Sequence, residues 1–179
     1  MTVTDKWLIA ITPEQPVDDE GRQITALLRD GWHRVHLRHP QASLREIRSI
    51  IETVSPELHN RIVLHGHFDL TAEFNLGGLH LNHRCPVPPS FYRGALSRSC
   101  HTVDEVLQSA HMSYVTLSPI FDSISKHGYK AAFTHEDLLR LTDATVPVIA
   151  LGGITHDRIT QLDGYNFSGY AMLGAVGWQ

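Results

Sequence analysis

Residues 61–85 contain four histidines that follow two short apolar runs. His65 and His67 come after the first run, and His80 and His83 lie within or just after the second. Neutral imidazoles at neighbouring strand ends can bind Zn²⁺ or Ni²⁺, and they can also serve as acid–base groups. Histidine is abundant throughout the chain, with 13 in all. We therefore assign no metal ligand from the sequence and keep a transition-metal site as one hypothesis.

A second candidate is segment 115–133, a long connection between an apolar run and a helical pattern. Ser118, Ser123 and Ser125 offer hydroxyl donors, and Lys126 adds a cation. A loop of this composition suits a phosphate clamp that closes on its ligand. An ordinary solvated loop has similar polar content, so both interpretations stay open.

Glycines follow the last two apolar runs. Gly152 and Gly153 end one of them, where they let the backbone approach a ligand closely, and the amides that follow can donate to a phosphate at a helix N-terminus. Segment 172–178 repeats this arrangement after the final run. In β/α barrels the loops after strands seven and eight often hold phosphate. The alternative is a pair of tight turns with no ligand.

Composition limits the class of protein. A chain of 179 residues with 42% hydrophobic content can bury one core, which predicts a single domain over residues 1–179. The formal net charge of -4 and the interspersed charges exclude an extended basic face for nucleic acid. The two cysteines lie far apart, and the apolar run of about six residues before Pro13 is too short to cross a membrane. We expect a soluble, cytoplasmic protein.

Apolar runs alternate with segments of helical periodicity along the whole chain. The predicted strands cover 6–12, 33–38, 61–65, 78–81, 94–99, 113–118, 146–151 and 167–173. The predicted helices cover 18–31, 43–54, 68–75, 102–110, 134–142 and 155–162. Capping-box spacing, with a hydroxyl residue three positions before a glutamate, predicts where two helices begin, at Ser43 and Thr102.

Eight strands in strict alternation with helices or loops predict parallel pairing through right-handed crossovers. The sequence therefore predicts an α/β fold, a (β/α)8 TIM barrel. Three prolines in segment 84–94 predict a degenerate fourth helix, and segment 174–179 leaves a missing or minimal eighth helix. An open doubly wound sheet is the alternative. An uncovered apolar stripe beside the eighth strand would favour a homodimer.

Several segments in register resemble one family. They are 35–38, 78–82, 97–105, 113–126 and 147–154. Together they resemble the thiamine phosphate synthase and thiazole tautomerase family, small β/α barrels of thiamine biosynthesis. The resemblance implies a transferase that joins hydroxymethylpyrimidine pyrophosphate to thiazole phosphate, releases pyrophosphate and uses Mg²⁺.

The resemblance also implies site residues. Arg38 and Lys126 are the expected catalytic residues. The expected substrate- and phosphate-binding residues are His36, His65, Ser99, Ser123, Ser125, Lys126, Gly152, Gly153, Leu173 and Gly174. The ligand is then a small phosphorylated thiazole or pyrimidine.

The chain departs from the family pattern at the metal site. His65 and Gly66 stand where the family has an Asn-Asp pair, and the next family aspartate falls near Cys85. No Asp or Glu occurs between Glu73 and Asp104. Because Mg²⁺ is a hard cation that prefers oxygen ligands, the sequence predicts that the carboxylate ligands are absent.

The departure leaves three hypotheses open. The tautomerase relatives carry a histidine where this chain has Pro119. The chain is then a thiamine phosphate synthase, a tautomerase-like enzyme, or a non-catalytic paralogue that binds a phosphorylated ligand.

Overall fold

The computed structural model describes residues 6–121 and 132–179, and its centre is a closed barrel of eight parallel strands. The strands are β1 (Trp7–Ile11), β2 (Arg34–Leu37), β3 (Ile62–Leu64), β4 (Gly78–Leu81), β5 (Leu96–Cys100), β6 (Tyr114–Leu117), β7 (Val148–Ala150) and β8 (Gly169–Met172). Each strand pairs with the next, and β8 pairs with β1. The predicted TIM barrel is therefore confirmed, and the open sheet is wrong.

Four α-helices lie outside the strands in the described part of the chain. They are α1 (Glu20–Arg29), α2 (Leu44–Thr53), α3 (Val103–Leu107) and α4 (His135–Leu139). Short 3-10 segments complete the outer layer at Pro56–Arg61, Phe68–Ala72, Arg140–Asp143, Ile159–Leu162 and Gly174–Val176. The degenerate fourth helix is confirmed, because 84–93 contains no helix, and a 3-10 turn follows β8 within 174–179.

Two predicted α-helices are 3-10 turns instead. In the segment predicted as 68–75, the buried side chains are Phe68 and Leu70, which are too close in sequence for one face of an α-helix. In the segment predicted as 155–162, burial within the turn is confined to Ile159 and Leu162. One turn of apolar side chains gives too little burial to stabilise a longer helix.

Helix starts follow the predicted capping chemistry. The Ser43 hydroxyl accepts from the Glu46 amide, and the Glu46 carboxylate accepts from the Ser43 amide at 2.8 Å. The Thr102 hydroxyl also caps its helix, but the Glu105 carboxylate accepts from the amide of His101 rather than from that of Thr102. The first capping box is thus complete, and the second is half formed.

The core has two layers. Inside the barrel, the side chains of Ile9, Ile11, Tyr114, Ile149 and Ala171 pack together. A larger apolar layer fills the space between the strands and the outer helices. None of the described helices combines the length and the apolar character needed to span a bilayer.

A buried polar pair joins α1 to the segment after β2. His39 Nε2 lies 2.6 Å from Glu20 Oε1, and the two side chains are 0% and 1% exposed. The other Glu20 oxygen accepts from the Val17 amide at 3.0 Å. This pair holds the residue that follows Arg38 against the first helix.

Removing the buried carboxylate should destabilise the protein. We expect Glu20→Ala to lower the free energy of unfolding by about 3 kcal/mol, because it leaves the buried His39 imidazole without its partner. Glu52→Ala is the matched control, since Glu52 is exposed on α2, and it should change stability by no more than about 0.5 kcal/mol. Urea denaturation measures both. Equal losses for the two variants would contradict the structural role of the pair.

Candidate functional site

A cavity of about 610 Å³ opens at the carboxyl ends of the strands. Every strand, or the residue directly after it, contributes to its wall. These contributions are Ile11, His36, His65, His80, Ser99, Thr116, Leu151 and Leu173. Since the carboxyl ends of parallel strands share one face of a barrel, this cavity lies where barrel enzymes bind their substrates.

Three histidines form a cluster in the wall of this cavity, which we call the histidine triad: His36, His65 and His80. One ring nitrogen of each lies within 4.8 Å of the others. His36 Nδ1 is 2.9 Å from His65 Nε2, and the rings of His65 and His80 stack with centroids 4.3 Å apart. The strand register explains the stacking, because Leu64 pairs with Leu79 and the next residues are therefore neighbours.

Buried hydroxyl groups orient two members of the triad. His36 Nε2 lies 2.6 Å from the Tyr114 hydroxyl. The two ring nitrogens of His80 are each 2.9 Å from a serine hydroxyl, Ser97 on one side and Ser99 on the other. Both imidazoles therefore have a hydrogen-bonding partner at each nitrogen, which fixes the orientation of their rings.

Burial keeps the triad uncharged. It lowers the pKa of His80 to about 3, with a smaller contribution from the Arg38 guanidinium. Burial also holds the pKa values of His36 and His65 well below their usual range, and neighbouring imidazoles and arginines add to the effect. Burial raises the pKa of Tyr114 to about 12. At neutral pH the site is therefore polar but carries no charge on these side chains.

Arg38 supplies a cation beside this neutral cluster. Its guanidinium lies 3.4 Å from the Glu14 carboxylate, and its side chain is 32% exposed. Its backbone amide donates to the Thr12 hydroxyl at 2.8 Å, which anchors the end of β2. A pair at this distance and exposure is weak, so a bound anion can compete for the guanidinium.

Asn82 lines the cavity directly after β4. Its amide nitrogen donates to the carbonyls of His65 and His80, and its oxygen accepts from the amides of Arg84 and Cys85. One side chain thus links the segment after β4 to the end of β3. This link replaces the support that a regular helix would give.

The cavity contains part of the predicted site. His36, Arg38, His65, Ser99 and Leu173 all line it. Gly152 and Gly153 adjoin its wall at Leu151, and Gly174 follows Leu173. The predicted clamp residues Ser123, Ser125 and Lys126 lie outside the described residues.

The glycine pair after β7 lies in a tightly packed turn. Both residues have positive φ, 96° at Gly152 and 62° at Gly153. A Cβ at position 152 would lie 2.8 Å from the Pro119 Cα, so the backbone there is tightly packed. The predicted helix N-terminus after this pair is wrong, because the chain bends and forms only a 3-10 turn at Ile159–Leu162.

The four histidines of segment 61–85 all line the cavity, but only two of them join the triad. His65 and His80 belong to the triad, whereas His67 is exposed and bonds the Ala42 carbonyl through its imidazole at 2.8 Å. His83 is also exposed and stays outside the triad. Sequence reasoning missed the grouping of His36 with the other two. The available signal was its position one residue before the end of β2, which pairs with β3.

The described wall of the cavity does not fit Mg²⁺. Its polar side chains are imidazoles, hydroxyls, amides and guanidinium groups, and none of these lining residues is Asp or Glu. Mg²⁺ prefers carboxylate and water oxygens in octahedral geometry.

Comparison with known proteins identifies the family. Residues 8–176 match the family model described as thiamine monophosphate synthase. This span runs from within β1 to the turn after β8, so it includes every strand that lines the cavity. The chain belongs to the thiamine monophosphate synthase family.

Individual members of the family support the assignment. The crystal structure of thiamine phosphate pyrophosphorylase from Bacteroides thetaiotaomicron has a TM-score of 0.83 and 36% identity, covering 94% of this chain and 83% of that one. Thiamine-phosphate synthase from Salinibacter ruber is 28% identical over 145 residues, which are 76% of this chain and 63% of that protein. The Lactococcus lactis enzyme of the same name is 24% identical, covering 91% of this chain and 81% of its own.

The tight packing at Gly152 gives a testable consequence. We expect Gly152→Ala to lower the free energy of unfolding by about 2 kcal/mol, because alanine is strained at positive φ and its Cβ meets the Pro119 backbone. Gly174→Ala is the control, since a Cβ there has nothing within 4 Å and the backbone has no positive φ. Thermal and urea unfolding report both changes. A Gly152→Ala protein as stable as the control would show that the segment relaxes freely.

Proposed function

We propose that this chain is a thiamine phosphate synthase. It would join hydroxymethylpyrimidine pyrophosphate to thiazole phosphate and release pyrophosphate. The observation that carries the proposal is the family match over residues 8–176, which spans all eight strand ends around one cavity. The similar proteins compared above are named as synthases or pyrophosphorylases, so we do not favour the tautomerase-like or non-catalytic alternatives.

The reaction needs charge stabilisation more than proton transfer. The carbon–oxygen bond to pyrophosphate breaks, and the leaving group takes the electron pair. The thiazole nitrogen then donates its lone pair to the pyrimidine methylene carbon, and the product is a thiazolium. The protein therefore has to position two substrates and stabilise the departing anion.

Arg38 is the described cation best placed for the leaving group. A planar guanidinium matches phosphate oxygens and can bind two of them at once. Its present neighbour, Glu14, holds it only at 3.4 Å. We propose that Arg38 binds the pyrophosphate group, and that Lys126 adds a second cation from the segment after β6.

The uncharged polar wall suits the pyrimidine. His36 and His80 are bonded at both ring nitrogens, so Nδ1 of His65 is the triad nitrogen that would bond an aminopyrimidine. The Thr116 hydroxyl is buried and has no hydrogen-bond partner within the described residues, so a bound substrate would satisfy it. The apolar side chains of Ile11, Leu151 and Leu173 would pack on the ring faces.

Other parts of the proposal follow from the substrates. Gly152, Gly153 and Gly174 would hold the thiazole phosphate through their backbone, with help from Ser123 and Ser125. Mg²⁺ is general in the family, but we assign it no step because the described cavity wall does not fit it. Phosphorylated intermediates do not cross membranes readily, which favours the cytoplasm. Homodimerisation stays a prediction, which light scattering at tens of micromolar would measure.

The purified protein with both substrates should produce pyrophosphate and thiamine phosphate in equal amounts. We expect Arg38→Ala to lower kcat/KM by about 10- to 100-fold, which corresponds to the loss of charge-assisted hydrogen bonds worth about 1.5–3 kcal/mol. Arg93→Ala is the control, since Arg93 is exposed and bonds only nearby carbonyls in segment 90–92. Coupled pyrophosphate detection and chromatography measure the two products.

Two results would overturn the synthase proposal. Isomerisation of the thiazole phosphate without pyrophosphate release would indicate tautomerase chemistry. Tight binding of thiazole phosphate or thiamine phosphate with no product would indicate a non-catalytic paralogue.

A further inference from the structure

We propose that the histidine triad, His36, His65 and His80, binds one divalent transition-metal ion with an open coordination position. The three side chains come from the ends of the adjacent strands β2, β3 and β4, and all three line the cavity. One nitrogen of each converges within 4.8 Å of the others. Three protein nitrogens and one open position form the ligand arrangement of a catalytic zinc site.

One of the nitrogen–nitrogen distances is close to that which a metal requires, and the others lie within 4.8 Å. A Zn–N bond of about 2.0–2.1 Å in tetrahedral geometry separates two ligand nitrogens by about 3.3 Å. His36 Nδ1 and His65 Nε2 are now 2.9 Å apart, so a metal would replace their hydrogen bond with a slight separation of the two rings. The ring of His65 stacks on that of His80, so binding one ion through all three residues would also require this ring to turn. His65 is the partly exposed member of the triad.

The surroundings provide outer partners for two of the ligands. If His36 binds through Nδ1, its Nε2–H donates to the Tyr114 hydroxyl. Whichever nitrogen His80 uses, the other one meets a serine hydroxyl, Ser97 or Ser99. Such partners fix the tautomer and the orientation of metal-binding histidines. A surface group of histidines would lack this support.

The chemistry of the donors selects the metal. Imidazole nitrogen suits Zn²⁺, Co²⁺ and Ni²⁺, whereas Mg²⁺ requires oxygen ligands. Burial keeps the three imidazoles neutral, so their lone pairs are available at neutral pH. The open position faces the cavity that Arg38 also lines. Water or an oxyanion such as a phosphate oxygen would occupy it.

The test is metal titration of the full chain, prepared without a histidine tag and dialysed against a chelator. We expect Co²⁺ and Zn²⁺ to bind at one ion per chain, to raise Tm, and to resist displacement by excess Mg²⁺. The visible absorption of Co²⁺ should indicate four- or five-coordination. No substrate is needed, so the result does not depend on synthase activity.

Matched variants assign the ligands. We expect His65→Gln to weaken Co²⁺ binding by more than tenfold and to change its spectrum, while His83→Gln and His67→Gln leave both unchanged. Tyr114→Phe keeps the ring but removes the outer partner of His36, and should weaken binding by about 10- to 100-fold. Near-ultraviolet circular dichroism checks that each variant is folded.

Three outcomes would overturn the proposal. One is the absence of stoichiometric Co²⁺ or Zn²⁺ in folded wild-type protein at tens of micromolar. Another is unchanged binding in folded His65→Gln. The third is loss of binding in His83→Gln or His67→Gln with the triad intact, because the metal would then belong to exposed histidines.

Discussion

Closure of the sheet between β8 and β1 is the constraint on which the site depends. Parallel pairing along this edge brings Trp7 level with Gly169, and a Cβ on Gly169 would clash with the Trp7 carbonyl oxygen. Glycine is therefore required where the two edges meet. Once the sheet closes, all eight carboxyl ends surround one space, and residues far apart in sequence line a single cavity.

The interior of this barrel buries several polar side chains at the end that opens into the cavity. Burying a polar group without a partner costs free energy, and burying a charge costs much more. The histidine triad meets both conditions: it stays neutral, and hydroxyl groups bond two of its members. The hydrogen bonds that limit the free-energy cost of burial also fix the orientation of these rings. A binding site requires side chains with fixed orientations.

Few regular helices surround this site. Individual side chains hold strand ends in place there, as helices do in a regular barrel. Asn82 joins the ends of β3 and β4 beside the segment that has no helix. The buried pair of Glu20 and His39 secures the end of β2. A few hydrogen bonds therefore hold the segments at the mouth of the cavity in place. Single substitutions of the residues that form them should alter function as well as stability.

Much of the fold was predictable from local sequence. Apolar runs located all eight strands to within two residues at each end, because strands covered on both faces must be apolar along their length. The prolines of segment 84–94 predicted that no regular helix forms there, and Ser43 predicted the start of α2. The α-helices predicted at 68–75 and 155–162 are 3-10 turns. Periodicity shows which face of a helix could be buried, but it does not show whether enough apolar surface is buried to stabilise the helix.

The sequence by itself determined the strand count, the barrel and the absence of carboxylates between Glu73 and Asp104, since each depends on residue types along the chain. Tertiary structure alone decided that His36 joins His65 and His80 while His67 and His83 stay apart. The physical reason is register: the level that a side chain reaches inside a barrel depends on how neighbouring strands pair, and no local pattern records that pairing.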